Sequence, residues 1–289
     1  MREVIDVLFP GQPIFPDGIA GKQGYLLRHL WMVTAVTLKA ESPTPLKVLE
    51  IGSWVGFSAL TWAEAIRTYV PAQGSILCVD PWERYLPEED IKKGAHYQGM
   101  HQAAVLDIAY SVFRHNVSVR SGGPVRIDHF RGRSREVLPY LADRQFDIIF
   151  IDGAHAYADV TFDIAESRRL IKDGGFVCGD DLELQMDEID RDFAEKHKHE
   201  DYLEDPKTGK PYHPGVAVAV NEAFGRVSSY TGFWITSVKG GAHEPVVFQS
   251  VKTFIPTHFD EKYKGMIMEA LRSMGLYGTP QPPTGAPSA

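Results

Sequence analysis

The sequence predicts an α/β fold, with a doubly wound, mostly parallel sheet, helices on both faces and an antiparallel hairpin near the C-terminus. Near-continuous apolar runs recur along the chain, as expected of parallel strands that are buried on both faces. Helical segments alternate with these runs from residue 47 onwards, which is typical of repeated β–α units. Four of the five runs end at glycine or aspartate, residues that favour turns.

The elements follow one another in a regular order. An amphipathic helix is predicted over residues 23–40 and ends at the helix-breaking sequence Ser42-Pro-Thr-Pro. The predicted parallel strands are residues 48–51, 75–79, 125–130, 146–151 and 175–179. The helices between them are predicted over residues 58–68, 103–116, 134–141 and 157–171. A helix over residues 216–224 then precedes the two strands of the hairpin, residues 230–238 and 244–251.

Three parts are predicted along the chain. Residues 1–44 form an N-terminal helical extension, residues 45–255 the main domain, and residues 256–289 a C-terminal helix with a disordered tail rich in proline and glycine. Segments 87–102 and 197–215 fit no helix or strand. They follow the second and fifth strands, so they lie on the rim where open α/β sheets bind ligands. We expect both to be mobile lids that become ordered on substrate binding.

The composition excludes several classes of protein. With 289 residues, of which 44% are hydrophobic, the chain can bury a sizeable core. A net charge of -8 argues against nucleic acid or an anionic membrane as a partner. The two cysteines lie in apolar runs, which excludes a disulfide framework. With no recognisable signal peptide, we expect a cytoplasmic protein; whether it forms a homo-oligomer is left open.

The first strand leads into a loop with two glycines, Glu50-x-Gly52-x-x-x-Gly56. These glycines allow a tight turn and a close approach of the backbone to a ligand, and the helix N-terminus that follows can receive a carboxylate. Ser53 and Ser58 either cap that helix or contact the ligand. The loop lacks the third glycine of a dinucleotide fingerprint. Glu50 suits an ammonium group and would repel a phosphate.

Two further motifs lie at the ends of the second and third strands. Asp80 is placed where a carboxylate binds ribose hydroxyls in nucleoside-binding folds; alternatively, with Pro81 after it, it only opens a turn. Gly132-x-Ser134 opens the next helix, with Ser134 as its predicted N-cap. The surroundings of Ser134 are expected to lie near an adenine ring.

Three aspartates follow the fourth and fifth strands, Asp152, Asp180 and Asp181. On neighbouring strands they would repel one another and raise a pKa. A divalent cation would remove that conflict, and oxygen ligands select Mg²⁺, Mn²⁺ or Ca²⁺; alternatively, each aspartate only ends a strand. Of the three, Asp181 has the least support as a ligand, because consecutive residues of an extended chain point to opposite faces. His155 is a candidate general base, or else an exposed loop histidine.

In their order, the Glu50–Gly56 loop, Asp80, Gly132-x-Ser134 and the strand that ends at Asp152 resemble the motifs of class I S-adenosylmethionine (SAM)-dependent methyltransferases. The match covers roughly residues 45–185. It implies a Rossmann-like methyltransferase fold, with residues 45–255 as the SAM-binding domain. The cofactor-binding residues that it implies are Glu50, Gly52, Ser53, Gly56 and Ser58 at the methionine end, Asp80 at the ribose, Gly132 and Ser134 at the adenine, and Asp152.

The aspartates and His155 resemble the metal-dependent O-methyltransferases of the catechol, caffeoyl-coenzyme A and antibiotic-sugar types. The catechol enzymes have lysine at the position of His155, whereas some sugar-modifying relatives have histidine. The resemblance implies methyl transfer from SAM to a hydroxyl of a saccharide, a vicinal diol or a catechol, with Mg²⁺ as the expected ion. Three alternatives stay open: a metal-independent methyltransferase acting on nitrogen or a carboxylate, a nicotinamide-dependent oxidoreductase, and a non-catalytic SAM-binding protein.

Overall fold

The structure is a computed structural model that describes residues 1–17, 19, 26–84, 88–92, 94–120, 123–249 and 251–273. Its strands are β1 Leu46–Ile51, β2 Gly74–Asp80, β3 Val125–Arg131, β4 Phe146–Ile151, β5 Ile171–Leu182, β6 Leu203–Glu204, β7 Pro211–Tyr212, β8 Ser228–Tyr230, β9 Gly232–Lys239 and β10 Ala242–Pro245. Its helices are α1 Arg2–Leu8, α2 Leu26–Thr37, α3 Phe57–Tyr69, α4 Glu88–Ile91, α5 Ala95–Val105, α6 Ile108–Arg120, α7 Ser134–Val137, α8 Tyr157–Leu170, α9 Arg191–His197, α10 Pro214–Phe224 and α11 Glu261–Ser273.

The main sheet has the strand order β10-β9-β5-β4-β1-β2-β3. Strands β1 to β5 are parallel to their neighbours, and β9 lies antiparallel to β5. Strands β8 and β10 pair with successive parts of β9, and β6 and β7 form a separate small hairpin. The predicted fold class, a doubly wound and mostly parallel sheet with an antiparallel C-terminal edge, is confirmed.

Hydrophobic side chains cover both faces of the sheet, as the continuous apolar runs predict. Helices α2, α3 and α6 pack on one face around Trp62, Phe113 and Phe150. Helices α8 and α10 pack on the other face with Ile149 and Val177. A third, smaller cluster joins α2 to α11. Among the described residues, no helix has both the length and the apolar character needed to cross a bilayer.

Several predicted boundaries were wrong. The helix predicted over residues 103–116 is two helices, α5 and α6, separated at Asp107, whose φ of +58° interrupts the helical backbone. The second hairpin strand is shorter than predicted and ends at Pro245, which cannot donate to a strand ladder. Segments 87–102 and 197–215 contain α4, most of α5, β6 and β7; their mobility stays a prediction. The predicted disordered tail lies outside the described residues.

Candidate functional site

The carboxyl ends of β1, β2, β4 and β5 form one row at the edge of the sheet. Ile51 pairs in register with Val79 on one side and with Ile151 on the other. Ile151 in turn pairs with Gly179. The residues that follow these four paired positions therefore lie on a common rim. They are Gly52, Asp80, Asp152 and Asp180.

The loop after β1 requires its two glycines. Gly52 has a φ of +85°, and a Cβ there would lie 1.9 Å from the backbone oxygen of Asp152. Gly56 has a φ of +83° and is the N-cap of α3. Of the two alternatives for Ser53 and Ser58, capping was wrong, because Ser53 precedes the cap and Ser58 lies inside the helix. Within the described residues, the N–H groups at the start of α3 therefore have no side-chain cap.

Glu50 is fully buried beneath this loop. Neither of its carboxylate oxygens has a hydrogen bond of normal geometry within the described part of the chain, and the Ser53 hydroxyl is also unpartnered. Burial raises the pKa of Glu50 to about 8, and Asp80 adds to the rise, although the nearby hydroxyls of Ser53 and Ser58 oppose it. A buried carboxyl without a partner is costly, so Glu50 is suited to pair with a cationic group of a ligand.

Asp80 holds the glycine loop in place. Its Oδ2 accepts hydrogen bonds from the backbone N–H groups of Ser53 and Trp54, both at 2.9 Å. Its Oδ1 accepts one from the backbone N–H of Trp82 at 2.6 Å. Each carboxylate oxygen has two lone pairs, so Oδ1 keeps one acceptor position. Burial raises the pKa of Asp80 despite these three donors.

The turn after β3 differs from its prediction in one detail. The backbone N–H of Gly132 donates to the Asp80 carbonyl at 3.0 Å, which joins this turn to the end of β2. The N-cap of α7 is Arg133 and not Ser134, because Ser134 is already helical. The Ser134 hydroxyl interacts with the carboxyl of Asp163, whose pKa burial raises to about 7.

The side chains of Asp152, Asp180 and Asp181 meet at the ends of β4 and β5. One carboxylate oxygen from each lies within 4.8 Å of the other two. Burial and the charges of the other two aspartates raise the pKa of Asp152 well above its usual value. Burial raises the pKa of Asp180 to about 6, and Arg28 opposes that rise. The three strand-end aspartates therefore share one small volume, as the sequence predicted.

The reservation about Asp181 was wrong, and its backbone explains why. Asp181 has a φ of +63°, and the pairing of β5 with β9 shifts register between Gly179 and Leu182. The chain is therefore not extended at this point, and the alternation of side chains between faces does not apply. Aspartate is one of the few residues with a side chain that enters the left-handed region at modest cost.

A buried arginine, Arg28 on α2, balances part of this negative charge. Its Nη1 lies 2.7 Å from Oδ1 of both Asp180 and Asp181, and its Nη2 lies 2.7 Å from Glu183 Oε1. Only the contact to Asp180 lacks hydrogen-bond geometry. Burial alone would lower the pKa of Arg28, but these three carboxylates raise it. Gly232 leaves room for the guanidinium, because a Cβ there would lie 2.4 Å from Nη2.

His155 lies between two carboxylates. Its Nε2 is 2.9 Å from Asp181 Oδ2, and its Nδ1 is 2.7 Å from Asp201 Oδ1. Burial would lower the pKa of His155, but Asp181 and Asp201 raise it well above its usual value. The alternative of an exposed loop histidine was wrong, because the side chain is only 23% exposed. In the imidazolium form, which these two carboxylates favour, both ring nitrogens are donors.

Comparison with known proteins identifies the domain. Residues 49–182 match a family model that is described as a methyltransferase domain. The chain carries a methyltransferase domain. This domain has a glycine loop after β1 and an antiparallel β9 beside β5, which agrees with the predicted Rossmann-like methyltransferase fold. No curated protein sequence matches the chain significantly.

Solved structures similar to this methyltransferase include three other methyltransferases. The calicheamicin methyltransferase CalS11 is 16% identical, with a TM-score of 0.46 over 76% of this chain and 81% of that chain. The O-methyltransferase TomG from Streptomyces achromogenes, in complex with SAM, is 18% identical, with a TM-score of 0.41 over 82% and 96%. An O-methyltransferase from Bacillus cereus, in complex with SAH, is 16% identical, with a TM-score of 0.32 over 63% and 65%.

Four polar residues at this rim of the methyltransferase were not among the predicted site residues. They are Arg28, Glu183, Asp201 and His213. The Nδ1 atom of His213 lies 3.1 Å from Glu183 Oε2. One of them left a signal in the sequence, because Arg28 interrupts an otherwise apolar helix. Asp201 and His213 belong to segment 197–215, which was predicted to lie on this rim. Nothing local in the sequence distinguishes Glu183.

Proposed function

We propose that this methyltransferase transfers a methyl group from SAM to a hydroxyl of a small molecule, with one divalent cation bound by Asp152, Asp180 and Asp181. The acceptor class that we propose is a saccharide, another vicinal diol or a catechol, and the expected ion is Mg²⁺. The observation that carries the proposal is the cluster of three carboxylates next to the glycine loop. Gly52 touches the backbone of Asp152 itself, so the candidate cofactor and cation sites adjoin.

The donor set suits a hard cation. Asp180 Oδ1 is buried and has no hydrogen bond within the described residues, and no described residue donates to the side chain of Asp152. The Asp152 side chain is therefore available, whereas Asp180 Oδ1 is shared with Arg28 Nη1 at 2.7 Å. Mg²⁺ and Ca²⁺ prefer carboxylate oxygens over other protein ligands. When bound, such an ion would lower the pKa of the acceptor hydroxyl and orient it.

The other end of the rim suits SAM. The unpartnered carboxyl of Glu50 matches the ammonium group of the methionine end, and the uncapped N–H groups of α3 match its carboxylate. The remaining acceptor position of Asp80 matches one ribose hydroxyl. Gly132 and Ser134 would then border the adenine. SAM supplies the electrophilic methyl group, and these residues hold it in position for in-line transfer.

His155 is the proposed base for the acceptor proton. Asp201 holds Nδ1 and fixes the ring, so Nε2 is the nitrogen that faces the aspartates. Because Asp181 and Asp201 favour the imidazolium, His155 can accept a proton only when Asp181 is engaged elsewhere. We therefore expect His155→Ala to slow the chemical step by about 10²–10⁴-fold, the usual contribution of a positioned general base.

A titration of Mg²⁺ into the protein tests the proposal without knowledge of the acceptor. The wild type should bind one ion with SAM present. Asp152→Asn and Asp180→Asn should lose the ion and keep SAM binding, because asparagine preserves shape and removes charge. Asp143→Asn, at an exposed carboxylate paired with Arg169, is the matched control and should behave as the wild type.

Arg28 favours a second candidate, a methyltransferase that needs no metal and acts on nitrogen or a carboxylate. Its guanidinium already contacts two of the three aspartates, so part of the charge conflict that would call for a cation is relieved by the protein itself. Full turnover in excess EDTA, or the absence of Mg²⁺ binding with SAM and acceptor present, would decide for this candidate.

A further inference from the structure

Two histidine rings lie against the Asp181 carboxylate. His155 Nε2 is 2.9 Å from Asp181 Oδ2, and His213 Nδ1 is 3.8 Å from Asp181 Oδ1. The centroids of the two rings are 4.4 Å apart, and one ligand atom of each of the three residues lies within 4.8 Å of the others. We propose that His155, Asp181 and His213 form a second cation site, selective for Zn²⁺ and chemically similar late first-row ions.

The spacing of the ligand atoms fits such an ion. Zn²⁺ binds histidine nitrogen and carboxylate oxygen at about 2.0–2.2 Å, which separates the ligand atoms of a tetrahedral site by about 3.3 Å. The closest pairs here are at 2.9 and 3.8 Å. The three ligand atoms lie within 4.8 Å of one another, so they must draw together around an ion to form the site. Glu183 Oε2, 3.1 Å from His213 Nδ1, can approach as a fourth ligand.

Asp201 provides an independent indication of metal binding. A metal-binding histidine usually donates its other ring N–H to a carboxylate, which fixes the ring and the tautomer. Asp201 Oδ1 lies 2.7 Å from His155 Nδ1 and so leaves Nε2 for the ion. Gly215 holds the start of α10, and with it His213, against the His155 backbone, since a Cβ at Gly215 would lie 2.2 Å from the His155 carbonyl oxygen.

The local charge also suits a divalent ion. Three carboxylates surround the two rings, those of Asp181, Glu183 and Asp201. With both imidazoles neutral, these three negative charges balance Arg28 and one divalent cation. Arg28 keeps its contacts with Asp181 Oδ1 and Glu183 Oε1, so it can stay in place when the ion binds.

The ligand types separate this site from the one in the proposed function. Imidazole nitrogen suits Zn²⁺, whereas carboxylate oxygens alone suit Mg²⁺. Asp181 belongs to both sets, so the two ions compete for it. Zn²⁺ would also occupy Nε2 of His155 and inhibit the enzyme; this last consequence rests on the proposed function, whereas Zn²⁺ binding itself does not.

Calorimetric titration with Zn²⁺ tests the inference, with the visible absorption of Co²⁺ as a second probe of imidazole ligation. The wild type should bind one Zn²⁺ per chain. His213→Gln and Asp201→Asn should each weaken Zn²⁺ binding by about 10–100-fold and leave Mg²⁺ binding unchanged. Asp152→Asn should instead weaken Mg²⁺ binding and leave Zn²⁺ binding unchanged. His197→Gln, at a half-buried histidine paired with Glu200 on the surface, is the matched control.

An unchanged Zn²⁺ affinity in His213→Gln relative to His197→Gln would overturn the inference, as would the lack of one-to-one binding by the wild type. Should His213→Gln fail to fold by circular dichroism, Asp201→Asn decides, because it keeps all three ligands. Zn²⁺ binding that depends on His213, in a protein that binds no Mg²⁺, would support this site and count against the proposed function. Failure of the Zn²⁺ site and failure of the proposed function can therefore be told apart.

Discussion

We expect the binding of S-adenosylhomocysteine, the demethylated product of SAM, to release a proton from Glu50. Within the described residues this buried carboxyl has no hydrogen bond of normal geometry, and burial raises its pKa to about 8. At that pKa, about nine in ten Glu50 side chains are protonated at pH 7 and about half at pH 8. An ammonium group placed against Glu50 favours the ionised form. Binding should therefore release about 0.9 proton at pH 7 and about 0.5 at pH 8.

Isothermal titration calorimetry in two buffers with different ionisation enthalpies measures this release directly. Glu50→Gln keeps the shape of the side chain and cannot titrate, so its proton release should fall close to zero. Its affinity should also fall, by about 1.5–3 kcal/mol, the usual contribution of a hydrogen bond to a charged group. Equal proton release by the wild type and by Glu50→Gln would refute the placement of the ammonium group at Glu50.

A matched control separates this effect from the general consequences of removing a buried acid. Glu64 on α3 is also a buried glutamate, but it accepts hydrogen bonds from the backbone and hydroxyl of Thr257, both at 2.9 Å. Its pKa is lowered by His258 and Thr257 despite burial, so it is already ionised at pH 7. Glu64→Gln should therefore leave the proton release unchanged.

Three further predictions concern stability. Gly52→Ala should unfold at a lower temperature than Gly174→Ala and should lose SAM binding. Both glycines have positive φ, but only at Gly52 would a new Cβ meet backbone atoms. Thermal unfolding with and without SAM tests this. Arg28→Met should destabilise the protein by about 3–5 kcal/mol, as expected when one partner of a buried ion pair is removed, and Mg²⁺ should stabilise this variant more than the wild type. Burial lowers the pKa of His29 and of His258, so the unfolded chain binds more protons near pH 6 and stability should fall as pH falls below about 6.5. A His29→Gln/His258→Gln double variant whose melting temperature drops as much as that of the wild type between pH 7.5 and 5.5 would contradict this assignment.

The parallel strands could be predicted because burial on both faces leaves a continuous apolar run in the sequence. The residues that end those runs, such as Glu50, Asp80 and Asp152, were predicted for the same reason, since parallel strands bring their carboxyl ends to one edge. The left-handed backbone of Asp181 has no such local signal. It depends on how β5 pairs with β9, which lies about 50 residues further along the chain.

The charge balance of the site could not be predicted from local sequence. Three uncompensated aspartates would call for a cation, but Arg28 and two histidines lie against them. Arg28 reaches Asp181 from 153 residues away, so only the packing of α2 beside β9 reveals the contact. The same packing explains why a basic residue is tolerated inside an apolar helix.

The contacts of Arg28 also bear on the order in which the protein folds. Its Nε donates to the carbonyl of Thr231, 203 residues along the chain, and the carboxylates of Asp180 and Glu183 that it contacts lie on and just after β5. Closing loops of this length costs entropy before any contact compensates for it. We therefore expect the guanidinium to reach its carboxylates late in folding, when α2 packs beside β9. Until then the aspartates would lack this counter-charge.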